Sequence, residues 1–166
     1  MKDSSIEDLL DEVKTLFDER PETVETGLEV DSASLLQLRK ACRLLTAANH
    51  LRQENGYYTV VIEVSFAAIE RTFQFYLLEK GLLHPDEYIG HQMIYEQGHR
   101  AGLYNEEFKE KLFDVWQDNR SHSYYRGGVG SEGRAEKMLE LAEAIHNHVL
   151  QLAGQSHECI CNSTSN

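Results

Sequence analysis

Proline is scarce. The chain has only Pro21 and Pro85, and both fall between stretches with helical spacing, where a missing N–H costs least. Cysteine is nearly as scarce. The three present are an odd number without framework spacing, which argues against a disulfide scaffold. Cys42 falls in a helical pattern, while Cys159 and Cys161 stand in a polar tail. No apolar run approaches the roughly 20 residues that span a bilayer. The first residues, Met1 to Glu7, lack the basic-then-apolar order of a signal peptide, so a cytoplasmic location without membrane association is expected. Phosphate-loop, dinucleotide and Ser-His-Asp patterns are all missing, and no cofactor is expected. Positive charge is also short: 16 Lys and Arg against 28 Asp and Glu leave a net charge of −12. Such a chain repels nucleic acid at long range, so an RNA-binding function needs a local basic site. The plainer consequence of the charge is a solvated acidic surface.

What is present is helical periodicity. The 166 residues are 41% hydrophobic and 27% charged, the balance of one globular domain. Ile6, Leu9, Leu10, Val13, Leu16 and Phe17 recur at helical spacing over residues 5–19. Asp31 and Ser32 offer an N-cap to a second helix through Leu51, which Asn55-Gly56 breaks. Residues 57–78 are apolar nearly all round, the mark of a helix at the centre of a bundle. A shorter helix is predicted from His84-Pro85-Asp86 to about Gly98. Asn105 caps the next, whose inner stripe is Phe108, Leu112, Val115 and Trp116 and which continues to about Tyr125. Ser131 caps the last, which carries Ala135, Met138, Leu139, Ala142, Ile145 and Val149. The expected fold is all-α: an antiparallel up-and-down bundle of four main helices with an N-terminal helix and a short additional one. The expected organisation is an N-terminal helix and linker over residues 1–33, the bundle over 34–154, and a disordered polar tail over 155–166.

One region concentrates the residues for binding phosphate. Arg120 and Arg126 bracket Tyr124 and Tyr125, and three glycines follow, offering cations, backbone N–H groups and aromatic faces for a base. A helix C-terminus would also carry Arg and Gly for structural reasons. His146 and His148 fall on different sides of the last helix, and His84, His91 and His99 are scattered. No His pair with a carboxylate at i, i+4 spacing stands out, so no metal site is expected. His157, Cys159 and Cys161 have the chemistry to hold a soft metal, but on a tail without a fold that reading is the weaker one.

Ala48-Asn49-His50-Leu51-Arg52-Gln53-Glu54-Asn55-Gly56-Tyr57-Tyr58 leads directly into Val64-Ser65-Phe66-Ala67-Ala68-Ile69-Glu70-Arg71. Asp118-Asn119-Arg120-Ser121-His122-Ser123-Tyr124-Tyr125 follows in the third bundle helix, and the closing helix runs from Glu132 to Leu150. In this order, over roughly residues 34–152, the pieces resemble the HEPN family, the higher eukaryotes and prokaryotes nucleotide-binding domain. The resemblance implies an RNA- or nucleotide-associated protein and, in active members, a toxin-like metal-independent endoribonuclease working as a homodimer. It implies catalytic roles for Arg120 and His122, with Asn119, Arg120, Tyr124, Tyr125 and Arg126 contacting nucleotide and Glu70 in support. Trp116, Tyr124 and Tyr125 would anchor the dimer. The alternative within the family is a non-catalytic binding module that partners a nucleotidyltransferase or other protein.

Cleaving RNA through its own 2′-OH needs a base for that proton and a cation for the charge on phosphorus, tasks suited to His and Arg. This chain departs from the family's Arg-then-His motif, because Tyr125 stands where the nearest spacing would place His. His122 lies about 200° around an α-helix from Arg120, whereas Tyr124 shares its face. Arg120 could equally be a structural partner of Glu70 or Glu63.

Overall fold

The computed structural model describes residues 5–19, 25–124, 130–154 and 159–161, with side chains omitted for 122–124. Among them are six α-helices: α1 (Ile6–Asp18), α2 (Ala33–Gln53), α3 (Tyr58–Glu79), α4 (His91–Arg100), α5 (Glu106–Asp118) and α6 (Glu132–Ala153). A π-helical turn, Asn119–Tyr124, follows α5. No described residue is in a strand, and no described helix is long and apolar enough to cross a membrane.

The helix ends follow from local chemistry. The side chains of Ser32, Asn105 and Ser131 accept hydrogen bonds from the backbone N–H groups of Leu35, Phe108 and Arg134, satisfying donors that the first turn leaves orphaned. Gly154 ends α6 in the left-handed conformation at φ 72°. Between α2 and α3 the chain reverses through Asn55 at φ 54° and Gly56 at φ 101°, a pair of residues that tolerates this region. The short connection folds α3 back along α2, so the two are antiparallel and make the most extensive packing in the molecule.

The core lies between α2, α3 and α6. α3 contributes from around its circumference: Val61, Ile69 and Phe73 are fully buried, and Phe66, Phe75 and Leu77 nearly so. Leu38, Cys42 and Leu45 meet it from α2, and Leu139, Ala142 and Val149 from α6. α4 packs on another side of α3, and α5 packs on α4. Within this hairpin Lys109 bridges Glu96 at 3.1 Å and also pairs with Glu106. Those bonds to Lys109 hold both carboxyls below the usual carboxylate range.

Three expectations need correction. The segment 84–90 is not helical: the Glu87 carboxylate accepts from the His84 N–H at 2.7 Å, the Glu87 N–H donates to the His84 carbonyl at 3.0 Å, and the turn closes on itself. α4 therefore starts after Gly90, well beyond the start that Pro85 suggests. In α5 only Leu112 is buried, while Val115 is 49% exposed, because this helix covers α4 rather than entering the core. The third concerns the tail. Cys159, Ile160 and Cys161 pack against the core instead of leaving it, whereas 155–158 and 162–166 lie outside the described residues.

α1 forms with a complete capping box, Ser5 and Asp8 bonding reciprocally, yet buries none of its residues. Ile6, Leu10, Leu16 and Phe17 are 65% exposed or more, an apolar stripe facing water in the single chain.

The return to α6 passes very close to α3. The Gly130 N–H donates to the Thr59 hydroxyl at 2.9 Å. A Cβ on Gly130 would stand 2.7 Å from the Thr59 nitrogen and 2.9 Å from the Tyr58 carbonyl carbon, both backbone atoms that cannot rotate away. Gly130→Ala is expected to destabilise the fold by about 1–3 kcal/mol, the usual cost of overpacking. Urea unfolding checks this, with Gly133→Ala as the control because nothing lies near a Cβ there.

Candidate functional site

Arg120 is the second residue of the π-helical turn beyond α5. The turn changes the geometry assumed from sequence, since an i→i+5 winding replaces the α-helical angles between Arg120, His122 and Tyr124. Tyr125, Arg126 and the glycines of 127–129 lie outside the described residues, as do the side chains of His122 and Tyr124. Asn119 is turned inward, and its amide donates to Glu63 at 2.6 Å. Of the two acids considered as structural partners of Arg120, Glu63 thus bonds Asn119, and Glu70 is linked to Arg120 through an imidazole.

That imidazole is His91, the first residue of α4. One Arg120 guanidinium nitrogen lies 3.4 Å from His91 Nε2. On the other side of the ring, His91 Nδ1 lies 2.7 Å from a Glu70 carboxylate oxygen. Guanidinium only donates and carboxylate only accepts, so the two contacts define one neutral tautomer: proton on Nδ1, lone pair on Nε2. Glu70 is fixed in turn by the Tyr95 hydroxyl, which donates to its second oxygen at 3.1 Å. Burial, reinforced by the charge of Glu70, holds the Tyr95 phenol far above its ordinary pKa, so it remains a donor at all working pH values.

Trp116 backs the cluster. Its ring lies under the Arg120 guanidinium at 5.6 Å and is stacked with His91 at 5.8 Å between centroids. It also packs on Tyr95 and Phe113, so it is a partly buried wall of this site rather than a free anchor. Burial grades outward: the Glu70 side chain is 13% exposed and that of His91 51%. Alongside opens a cleft of about 290 Å³, lined in part by Glu70, Arg71, His84, Tyr88 and His91. Four helical segments thus converge on an arginine, a histidine and a carboxylate in series at a solvent-facing mouth. The sequence supplied Arg120 and Glu70 but not His91, which is 29 residues from Arg120.

A second constellation lies on the other side of α3. His146, which the sequence places on a different side of the last helix from His148 and in no metal site, is only 1% exposed. It sits on the face of α6 that carries Ala142 and Val149, which turns it toward α2 and α3. Its Nδ1 lies 3.0 Å from the Thr72 hydroxyl, and that hydroxyl donates to the Ala68 carbonyl at 2.8 Å. The Thr72 proton being used, its oxygen accepts from Nδ1–H, and Nε2 keeps its lone pair. That nitrogen faces three sulfurs: Cys159 and Cys161 at 3.3 Å each and Cys42 at 3.7 Å. Cys42 and Cys159 are 3.4 Å apart. Hydrogen bonds from Cys161 and Cys42 pull the Cys159 thiol far down. The bond to Cys159 pushes Cys42 up to about 11 and raises Cys161 as well. A cavity of about 450 Å³, lined in part by Asn49, Glu143, His146 and Cys161, opens beside the group.

A helical bundle with these two polar constellations is the class of protein that the fold defines. The chain matches the domain of unknown function DUF8154 over residues 1–161, and it belongs to that family. Neither the curated proteins nor the solved structures contain a match.

Proposed function

We propose that the chain is a HEPN-like RNA-cleaving protein, a metal-independent endoribonuclease whose base is His91 rather than His122. The observation that supports this reading is the series Glu70–His91–Arg120. Nε2 of His91, which accepts from the Arg120 guanidinium at 3.4 Å, is the nitrogen that takes a proton from a 2′-OH once Arg120 turns to the phosphate. Glu70 holds the tautomer and stabilises the imidazolium that forms. Arg120 stands beside Nε2, where charge develops on the phosphorane. Tyr88, an exposed ring beside the cleft, offers aromatic surface for a base. With a net charge of −12, RNA is expected to be held locally by Arg120, Arg71 and Arg126, with steep salt dependence.

The test is incubation of the full chain with RNA in buffer free of added metal. Cleavage leaving 2′,3′-cyclic phosphate ends, lost in Arg120→Ala, supports the enzyme. RNA or nucleotide binding without cleavage, dependent on Arg120, replaces it with the non-catalytic binding module and a protein partner such as a nucleotidyltransferase. If Arg120→Ala lowers only the melting temperature, Arg120 is structural and both readings fail.

The homodimer implied by the HEPN resemblance is part of this proposal. The stripe of Ile6, Leu10, Leu16 and Phe17 is the surface that a second copy would cover. Light scattering at micromolar concentration is expected to give twice the 19.0 kDa of one chain. Leu10→Glu together with Leu16→Glu should return it to the single-chain mass. A wild-type mass of one chain removes the dimer.

A further inference from the structure

Cys42, His146, Cys159 and Cys161 are far apart in sequence, yet one atom of each lies within 4.8 Å of all the others. We propose that these four residues bind one zinc ion, and that the ion staples the C-terminal segment to the bundle.

The spacing suits the ion. Tetrahedral zinc, with bonds of about 2.3 Å to sulfur and 2.0–2.1 Å to nitrogen, sets ligand sulfurs about 3.8 Å from one another and about 3.6 Å from the nitrogen. The contacts to His146 Nε2 run from 3.3 to 3.7 Å, and Cys42 and Cys159 are 3.4 Å apart. The ligand atoms, all within 4.8 Å of one another, are therefore already gathered close to the separations that one tetrahedral ion sets. Three thiolates and one imidazole, without a carboxylate, select a borderline-soft ion over magnesium or calcium. Four protein ligands fill the shell, so the site is structural and has no open position for a substrate.

The second independent observation is the orientation of His146. A ligating histidine presents one nitrogen to the metal and donates from the other to a fixed acceptor. Thr72 is that acceptor, itself 1% exposed and tied to the Ala68 carbonyl. Among the described residues, the atoms within reach of the Nε2 lone pair of this buried histidine are those three sulfurs. A disulfide does not account for the group: joining any two sulfurs leaves the third thiol and the imidazole without a role.

Two ligands come from α2 and α6, and two from the tail as Cys159-x-Cys161. The residue between them, Ile160, packs where a Cβ on Gly27 would stand, 2.9 Å away, so the tail also touches the linker that leads into α2. The metal thus links α2, α6 and the last described residues, and through Ile160 the linker as well. Cys161 forms part of the wall of the neighbouring cavity, whose shape therefore depends on the metal.

The experiment uses the full chain, purified reduced, and does not depend on the RNA reading. Zinc alone, and cobalt(II) alone as its spectroscopic stand-in, are titrated in. Expected are one metal per chain, an intense thiolate-to-cobalt charge-transfer band and the ligand-field bands of tetrahedral cobalt. Cys159→Ser with Cys161→Ser should lose the metal while keeping the helical circular dichroism, because both residues lie outside the bundle helices. Thr72→Val, which keeps the shape and removes the acceptor, should weaken zinc about 10–100-fold. Reduced wild-type protein that takes up no stoichiometric zinc overturns the proposal. So does cobalt binding without a thiolate band, or zinc retained at full affinity by the double serine variant.

Discussion

His91→Gln is expected to lower RNA cleavage by a factor of about 10²–10⁴, the range that one positioned acid–base group supplies. Glutamine offers polar atoms near those of the ring but cannot accept the 2′-OH proton. Folding should be little affected, since the His91 side chain is 51% exposed. Arg120→Ala is expected to cost as much for a different reason, through the charge on phosphorus. Arg120→Lys should restore only part of it, because a point charge replaces a planar fork. Glu70→Gln should fall between: the amide still accepts from Nδ1–H but no longer stabilises the imidazolium. Initial rates on one RNA, with melting temperatures of all four variants, separate these effects. If His91→Gln cleaves within twofold of wild type while Arg120→Ala is inactive, the base is another residue and His122 returns as the candidate.

The parts of the fold legible in the sequence are those governed by neighbours a few residues away. Ser32, Asn105 and Ser131 are caps because a side-chain oxygen reaches N–H groups within its own first turn. Asn55-Gly56 reverses the chain because those two residues tolerate the left-handed region. The all-round apolar pattern of 57–78 places α3 at the centre, and Val61, Ile69 and Phe73 are fully buried there. Even local reading has a limit. His84-Pro85-Asp86 carries the composition of a helix start, but the turn it makes is closed by Glu87, and the helix waits for Gly90.

The sites were less legible because they depend on which helices meet. His91 joins Arg120 only once α4 lies across α3 and α5. The helical wheel used for Arg120 and His122 could not anticipate the π turn, for which the composition of Asn119–Tyr124 carries no evident cue. The sulfur group combines residues 104 and 117 positions apart. A signal was present, however. His146 stands four residues after Ala142 and three before Val149, on the apolar stripe of α6, where an imidazole needs partners. Cys42 is likewise on the inner face of α2 beside Leu38 and Leu45. A buried histidine, a buried cysteine and a Cys-x-Cys pair are worth considering together, even when a polar composition marks the tail as unfolded.

The largest effect on stability is expected from Phe73→Ala. Phe73 is fully buried at the centre of α3, and its ring lies 5.2 Å from that of Tyr104 and 6.2 Å, edge-on, from that of Tyr95. Truncation removes the transfer energy of the ring and leaves a cavity that three helical segments cannot easily close, a loss of about 3–5 kcal/mol. Against a total of about 5–15 kcal/mol for an ordinary domain, that can leave the bundle marginal. Tyr95 also holds Glu70, so a shift of this ring toward the cavity would disturb the Glu70–His91–Arg120 series without any change in those residues. Leu82→Ala is the control. That side chain is 57% exposed, and its removal should cost no more than about 0.5 kcal/mol. Urea midpoints at constant slope measure both losses. A loss below about 1 kcal/mol for Phe73→Ala would mean that the Phe73 site collapses readily and that the core does not depend on this ring.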